Sequence, residues 1–149
     1  MHLIIAEKNT VAERIASFLS TPQEKVQQKR DGNVIQYLIG DNIVMGLRGH
    51  VVQLDFEKGY ANWRSEERNP RSLINAGIIT NPTEKKIISM MQSAARKCNR
   101  VTIATDFDRE GELIGKEAVE LIQQVNAKVL ICRARFSAIT KEEILTAIQ

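Results

Sequence analysis

Val101-Thr-Ile-Ala-Thr105, followed without a break by Asp106-Phe-Asp-Arg-Glu-Gly-Glu112, decides how this chain folds. An apolar run rich in β-branched residues that ends abruptly in charge reads as a buried parallel strand running out into a loop. Ligands of open parallel sheets bind outside the carboxyl ends of the strands. Asp106, Asp108 and Glu110 are spaced two apart, so an extended chain would turn all three carboxylates to one side. Three such acids repel unless a cation lies between them. Oxygen ligands with no His or Cys nearby suit Mg²⁺ far better than zinc.

Outward from that stretch, the alternation continues in both directions. Leu3-Ile-Ile-Ala6 reads as a short buried strand closed by Glu7-Lys8, and Lys128-Val-Leu-Ile-Cys132 as another closed by Arg133. Thr10-Val-Ala-Glu13 fits a capping box at the start of a helix whose inner face is Val11, Ile15, Phe18 and Leu19. Asn81-Pro82 with Glu84 predicts another helix start, with Ile87, Ile88, Met91, Ala94 and Ala95 turned inward. Gly111 to Val125 reads as a helix carrying a Glu112–Lys116 pair. Val34–Ile39 and Ile43–Met45 flank Gly40-Asp-Asn as a β-hairpin. Lys25 to Gly32 is polar and reads as loop, and residues 55–81 show no period. Thr140-Lys-Glu-Glu143 opens a last helix that stops after two turns, which suggests a boundary inside a larger protein.

The order β-α-hairpin-loop-α-β-α-β-α predicts an α/β fold: a mainly parallel central sheet with helices on both faces and an inserted β-hairpin. Glu7-Lys8, the three acids and Arg133 then meet at one carboxyl edge, and that convergence is the main evidence for a site. The 149 residues suffice for one domain core, and the net charge of +3 permits a nucleic-acid partner without requiring one. Cys98 and Cys132 form no CxxC pair and read as reduced thiols of a cytosolic protein. Neither a signal peptide nor a membrane-length apolar run is present.

Plainer readings compete at each position. The acids alone fit a solvated turn leading into an acidic helix start. Glu7 is equally a helix-start acid, Lys8 a solvated lysine, and Arg133 a neutraliser of the cluster. His50, beside Gly49, fits a loop hydrogen-bonder. Lys58, Arg64, Arg68 and Arg71, near Tyr60 and Trp63, form a basic loop diluted by Glu66 and Glu67.

Three segments together resemble the Toprim domain of type IA DNA topoisomerases, closest in form to the topoisomerase III and archaeal branch. They are Ile5-Ala-Glu-Lys-Asn9, Arg48-Gly-His-Val51 and Ala104-Thr-Asp-Phe-Asp-Arg-Glu-Gly-Glu-Leu-Ile114. Arg133-Ala-Arg-Phe-Ser-Ala-Ile-Thr140 is similar to the family's exit segment. The resemblance implies a Rossmann-like Toprim fold over residues 1–136, with 137–149 starting the connection to a next domain. It implies Glu7 beside the scissile phosphate, Lys8 on a neighbouring phosphate, and Mg²⁺ held by Asp106, Asp108 and Glu110 with Glu7 opposite and Arg133 near. Lys8, His50, Arg64, Arg68 and Arg71 are the candidate DNA contacts. The implied partners are a single-stranded DNA segment and the remaining domains of the polypeptide, with no membrane, in a cytoplasmic, nucleoid-associated enzyme. That enzyme cleaves and rejoins one strand through a tyrosine, and neither Tyr37 nor Tyr60 matches the family's nucleophile. Another Toprim enzyme, of primase or nuclease type, or a non-catalytic metal-dependent DNA-binding module, is the alternative. Charge repulsion alone predicts that Asp108→Asn leaves the fold intact or slightly more stable.

Overall fold

The computed structural model describes residues 1–60 and 70–148. Eight strands and five helices occur among them: β1 His2–Ala6, α1 Asn9–Leu19, β2 Gln27–Asp31, β3 Val34–Ile39, β4 Asn42–Gly46, β5 Val52–Phe56, α2 Pro70–Leu73, β6 Ile78–Pro82, α3 Lys85–Ala95, β7 Arg100–Ala104, α4 Arg109–Gln123, β8 Leu130–Arg133 and α5 Lys141–Ile148. Six strands form one sheet in the order β2-β3-β4-β1-β7-β8. The run β4-β1-β7-β8 is parallel, while β2 and β3 join antiparallel. The expected α/β fold is therefore the observed one, a Rossmann-like arrangement with the β3–β4 hairpin built into its sheet.

Strand alternation divides the core in two. Leu3, Ile5, Ile43, Met45, Val101 and Ile103 face α3 and α4, where Ile87, Met91, Ala95, Ile114, Ala118 and Ile122 complete an apolar layer, and the buried Gln36 amide donates to the Met90 carbonyl at its side. Ile4, Ala6, Val44 and Ala104 face the other way, onto Val11, Ile15, Ile144 and Ile148 of α1 and α5. Burying both faces explains why these strands read as continuous apolar runs rather than alternating ones. α5, beyond residue 136, packs its Ile144 and Ile148 into this second layer. It is capped by Thr140, whose Oγ1 accepts the Glu143 amide at 3.3 Å, while Glu143 accepts the Ser137 and Ala138 amides at 2.9 Å each.

Several expectations are corrected. Gln27–Asp31 is a strand, not loop: all five residues are exposed, and it is held by backbone pairing to β3. The period-free region is closed by a separate two-stranded sheet of β5 and β6. Pro82 ends β6 rather than opening a helix, and α3 starts at Lys85 with Glu84 as its N-cap. The Thr10–Glu13 capping box does not form. The chain passes straight from β1 into α1 with extended Lys8 at the N-cap and no side-chain cap. Lys116 pairs with Glu120, and Glu112 pairs with Arg133 instead. Among the described residues no helix is long and apolar enough to cross a membrane.

Candidate active site

The register of the parallel strands builds the site. Ala6 lies level with Gly46 on β4 and Ala104 on β7, and Ile103 lies level with Arg133 on β8. Glu7, Thr105 and the following acids therefore emerge side by side at one edge. Glu7 is a buried carboxylate, with its side chain only 8% exposed. Its Oε2 accepts the Asp106 amide at 3.4 Å, and its Oε1 lies 3.4 Å from the Lys8 ammonium, whose side chain is 62% exposed. Lys8 has a raised pKa: the hydrogen bond and charge of Glu7 come first, then the charges of Asp106 and Glu110. The exposed ammonium thus sits in the field of three of the four candidate acids. The Glu7 carbonyl accepts the amide of Gly49 at 3.2 Å. Gly49 adopts φ 85°, a left-handed conformation that glycine reaches without the Cβ penalty.

Asp106, Asp108 and Glu110 do not share one side of an extended chain. The chain turns into α4 at once, and Asp108 is its N-cap, with Oδ1 accepting the Gly111 amide at 2.7 Å. Glu110 already lies in the first helical turn. The turn is tight because Gly111 packs directly beneath Asp106: a Cβ there would stand 2.1 Å from the Asp106 carbonyl oxygen. Thr105, buried at the end of β7, donates its hydroxyl to the Gly111 carbonyl at 2.7 Å.

Arg133 braces the same turn. Its guanidinium donates to the carbonyls of Ile103, Thr105, Asp106 and Ala134 at 3.2, 2.9, 2.9 and 2.6 Å. It also grips Glu112 Oε1, with Nε at 2.9 Å and Nη2 at 2.8 Å. The ion pair is with Glu112, and the contacts to Asp106 run through its backbone. Thr105, Gly111 and Glu112 thus position the acids, although none of them was expected to take part in the site. Their signal was a polar residue closing an apolar run and a glycine at the start of the next helix.

The remaining candidates scatter. His50 is tied to α4, with Nδ1 2.8 Å from Glu117 Oε1, on the flank that faces the β5–β6 sheet. Arg71 is exposed on α2. Arg64, Arg68 and Trp63 lie outside the described residues. Of the two tyrosines, Tyr37 is buried in the core with its hydroxyl accepting from Asn9 Nδ2 at 3.1 Å, and Tyr60 closes a short 3₁₀ turn.

The donor set is made of carboxylate oxygens alone, which is the chemistry of a hard cation. Asp108 commits Oδ1 to its cap, and its Oδ2 has no hydrogen-bond partner among the described residues. Among the described residues, no three His, Cys, Asp or Glu side chains converge closely enough to cage an ion by themselves. Mg²⁺ fits such an open set, since it is held by one or two carboxylates and fills its octahedron with water and phosphate oxygens.

Comparison with known proteins agrees with this geometry. The profile of the Toprim domain matches residues 2–139. The chain is similar to DNA topoisomerase 1 of Archaeoglobus fulgidus, 43% identical over 147 residues, covering 97% of this chain and 21% of that protein. DNA topoisomerase 1 of Thermoplasma acidophilum is 40% identical over 145 residues, covering 96% and 18%. Human DNA topoisomerase 3-alpha is 34% identical over 158 residues, covering 97% and 15%. The chain thus spans about a fifth or less of the length of these relatives. A six-stranded sheet with acids at its carboxyl edge, matched along nearly its whole length, identifies this chain as a member of the Toprim domain family.

Proposed function

We propose that this domain forms half of the active site of a type IA DNA topoisomerase, the other half being a domain that carries the nucleophilic tyrosine. The observation that carries the reading is the meeting of two strand ends, with buried Glu7 accepting the Asp106 amide and drawing Lys8 onto itself. One strand of DNA crosses the sheet edge as a single-stranded segment. Lys8 binds a phosphate next to the scissile one, and Glu7 faces the departing 3′ oxygen. The tyrosine oxygen forms a bond to phosphorus as the 3′ oxygen leaves, and the reversal of that exchange rejoins the strand without ATP. Asp106, Asp108 and Glu110, with Glu7, would hold Mg²⁺, which when bound offsets negative charge at the phosphates. Arg133 keeps the Asp106 turn in place through the backbone contacts described. The enzyme so assembled would work in the cytoplasm, on nucleoid DNA.

The test is a chimera in which this chain replaces the matching segment of the Archaeoglobus fulgidus relative. Relaxation of supercoiled DNA in the presence of Mg²⁺ is expected, with loss of relaxation in the Glu7→Gln chimera. The isolated chain, which lacks a placed nucleophile, is expected to form no covalent DNA adduct. A folded chimera that stays inactive, or a Glu7→Gln chimera that relaxes DNA normally, would overturn the reading.

A further inference from the structure

Phe107 stands between Asp106 and Asp108, and its side chain has no place in the fold: the residue is 62% exposed, although the rest of the β7 exit is buried or bonded. Among the described residues it is the one aromatic found with the exposed large apolar side chains. Leaving a phenyl ring in water forfeits the burial that drives folding. The ring is not featureless. Arg135, in the segment leaving β8, lays its guanidinium 5.4 Å from the ring centroid, so an aromatic and a cation from two different loops meet there. Two further exposed cations belong to the same strand-end turns, Lys8 beside Glu7 and Arg109 at the start of α4.

We propose that Phe107, backed by Arg135, is a stacking platform for one unpaired base of the single-stranded segment whose phosphate lies at Glu7 and Lys8. The proposal rests on the topoisomerase reading for the location of that phosphate. Its physics is independent. Sequence-tolerant binding of single strands combines cations that track the backbone with an aromatic face on which a base stacks. The Arg135 guanidinium covers part of the ring and adds charge that a phosphate can meet. A base is the occupant that matches both halves of the pair: a flat apolar face for the ring, and a negative linkage for Arg135, Arg109 and Lys8. Because every base offers a flat face, the platform would fix a nucleotide in place without choosing its identity.

The experiment measures binding of the 149-residue chain to a short fluorescent single-stranded oligonucleotide by anisotropy. A strand of the same length made of abasic units provides the second arm. Stacking on one aromatic contributes about 1–3 kcal/mol per base, so Phe107→Ala is expected to weaken binding about fivefold or more. Phe107→Leu should lose a similar factor, since it keeps apolar bulk but not the flat face, whereas Phe107→Trp should keep or improve affinity. On the abasic strand, wild type and Phe107→Ala should bind alike. Phe107→Trp also adds a second indole whose emission a stacked base quenches, with the wild type and its single Trp63 as background. Equal binding of wild type and Phe107→Ala on the normal strand overturns the platform while leaving the topoisomerase reading untouched. An equal loss on the abasic strand also overturns it, because the ring would then act through the fold or through Arg135. No binding by the wild type also overturns the platform, while the topoisomerase reading is decided by the chimera.

Discussion

Replacing Asp108 separates two roles that the structure gives to one carboxylate. Its Oδ1 caps α4 through the Gly111 amide at 2.7 Å, and its charge lies at the positive end of that helix. Loss of an N-cap costs about 0.5–2 kcal/mol, and loss of a favourable charge at the helix start about 0.3–1 kcal/mol. Relief of repulsion from the neighbouring acids works the other way. For exposed groups in high dielectric it is at most about 1 kcal/mol at 4 Å and falls with distance and salt. For a substitution that removes the acceptor the cap wins, so Asp108→Ala destabilises although it also relieves repulsion. Asp108→Ala should lose about 1–3 kcal/mol without metal, a fall in Tm of about 3–9 °C for a domain of this size. Asp108→Asn keeps an acceptor at the cap, and its lost helix-start charge of about 0.3–1 kcal/mol is offset by relieved repulsion of at most about 1 kcal/mol, so its Tm should stay within about 3 °C of wild type. With Mg²⁺ at 10 mM and an affinity on the order of 1 mM, mass action should add about 1.4 kcal/mol to the wild type. Asp108→Asn should gain much less. The assay is thermal unfolding of the three proteins with and without Mg²⁺. An Asp108→Ala protein as stable as wild type without metal refutes the cap argument. A full Mg²⁺ gain in Asp108→Asn removes Asp108 from the ligand set.

Two further outcomes follow from the same coordinates. Gly111→Ala would put a methyl group 2.1 Å from the Asp106 carbonyl oxygen, against backbone that cannot swing aside. Overpacking of this kind costs about 1–3 kcal/mol, so a Tm equal to wild type would show that the turn is not packed as described. His2, partly buried beside Thr102, has its pKa lowered from 6.5 to about 4, first by burial and then by the charge of Arg100. The folded value lies below the unfolded one, so the unfolded chain holds the extra proton between them. Its contribution is intact above pH 6.5 and is lost as pH falls towards 4, and because the ring is only half buried, solvent screening keeps that loss to about 1–2 kcal/mol. Urea midpoints measured from pH 7 down to 5 should fall in the wild type and fall less in His2→Gln. Parallel slopes in the two proteins would refute the assignment.

What could be read from the chain without coordinates depended on burial. β1, β7 and the inner faces of α3 and α4 are apolar runs packed on both sides, and their period or composition betrays them. β2 has no inward residue at all, so Gln27–Asp31 offers no alternation to read, and only its ladder to β3 makes it a strand. β5 and β6 are exposed along much of their length and pair across a long connection, which local patterning cannot see. The strand ends carrying Glu7 and Asp106 were legible as charge closing an apolar run. Asp108 as a cap and Arg133 as a donor to four carbonyls were not, because both depend on where the backbone turns after β7. Spacing in the sequence had suggested an extended stretch there.

The position of β1 has a consequence for how the protein is made. Of the strands of this sheet it is made first, yet it lies inside the sheet, between β4 and β7. His2 pairs with Asn42 on one side and with Arg100 on the other, separations of 40 and 98 residues. At about 5–20 residues per second, the gap between His2 and Arg100 corresponds to roughly 5–20 s of synthesis. Through that interval Leu3, Ile4 and Ile5 have an open edge towards the missing β7, and α4 has not yet been made to cover one of their faces. Such an apolar edge is a site for wrong pairing with other chains. The domain thus places its most buried strand where the growing chain waits longest for a partner, and holdase protection during translation bears most directly on Leu3, Ile4 and Ile5.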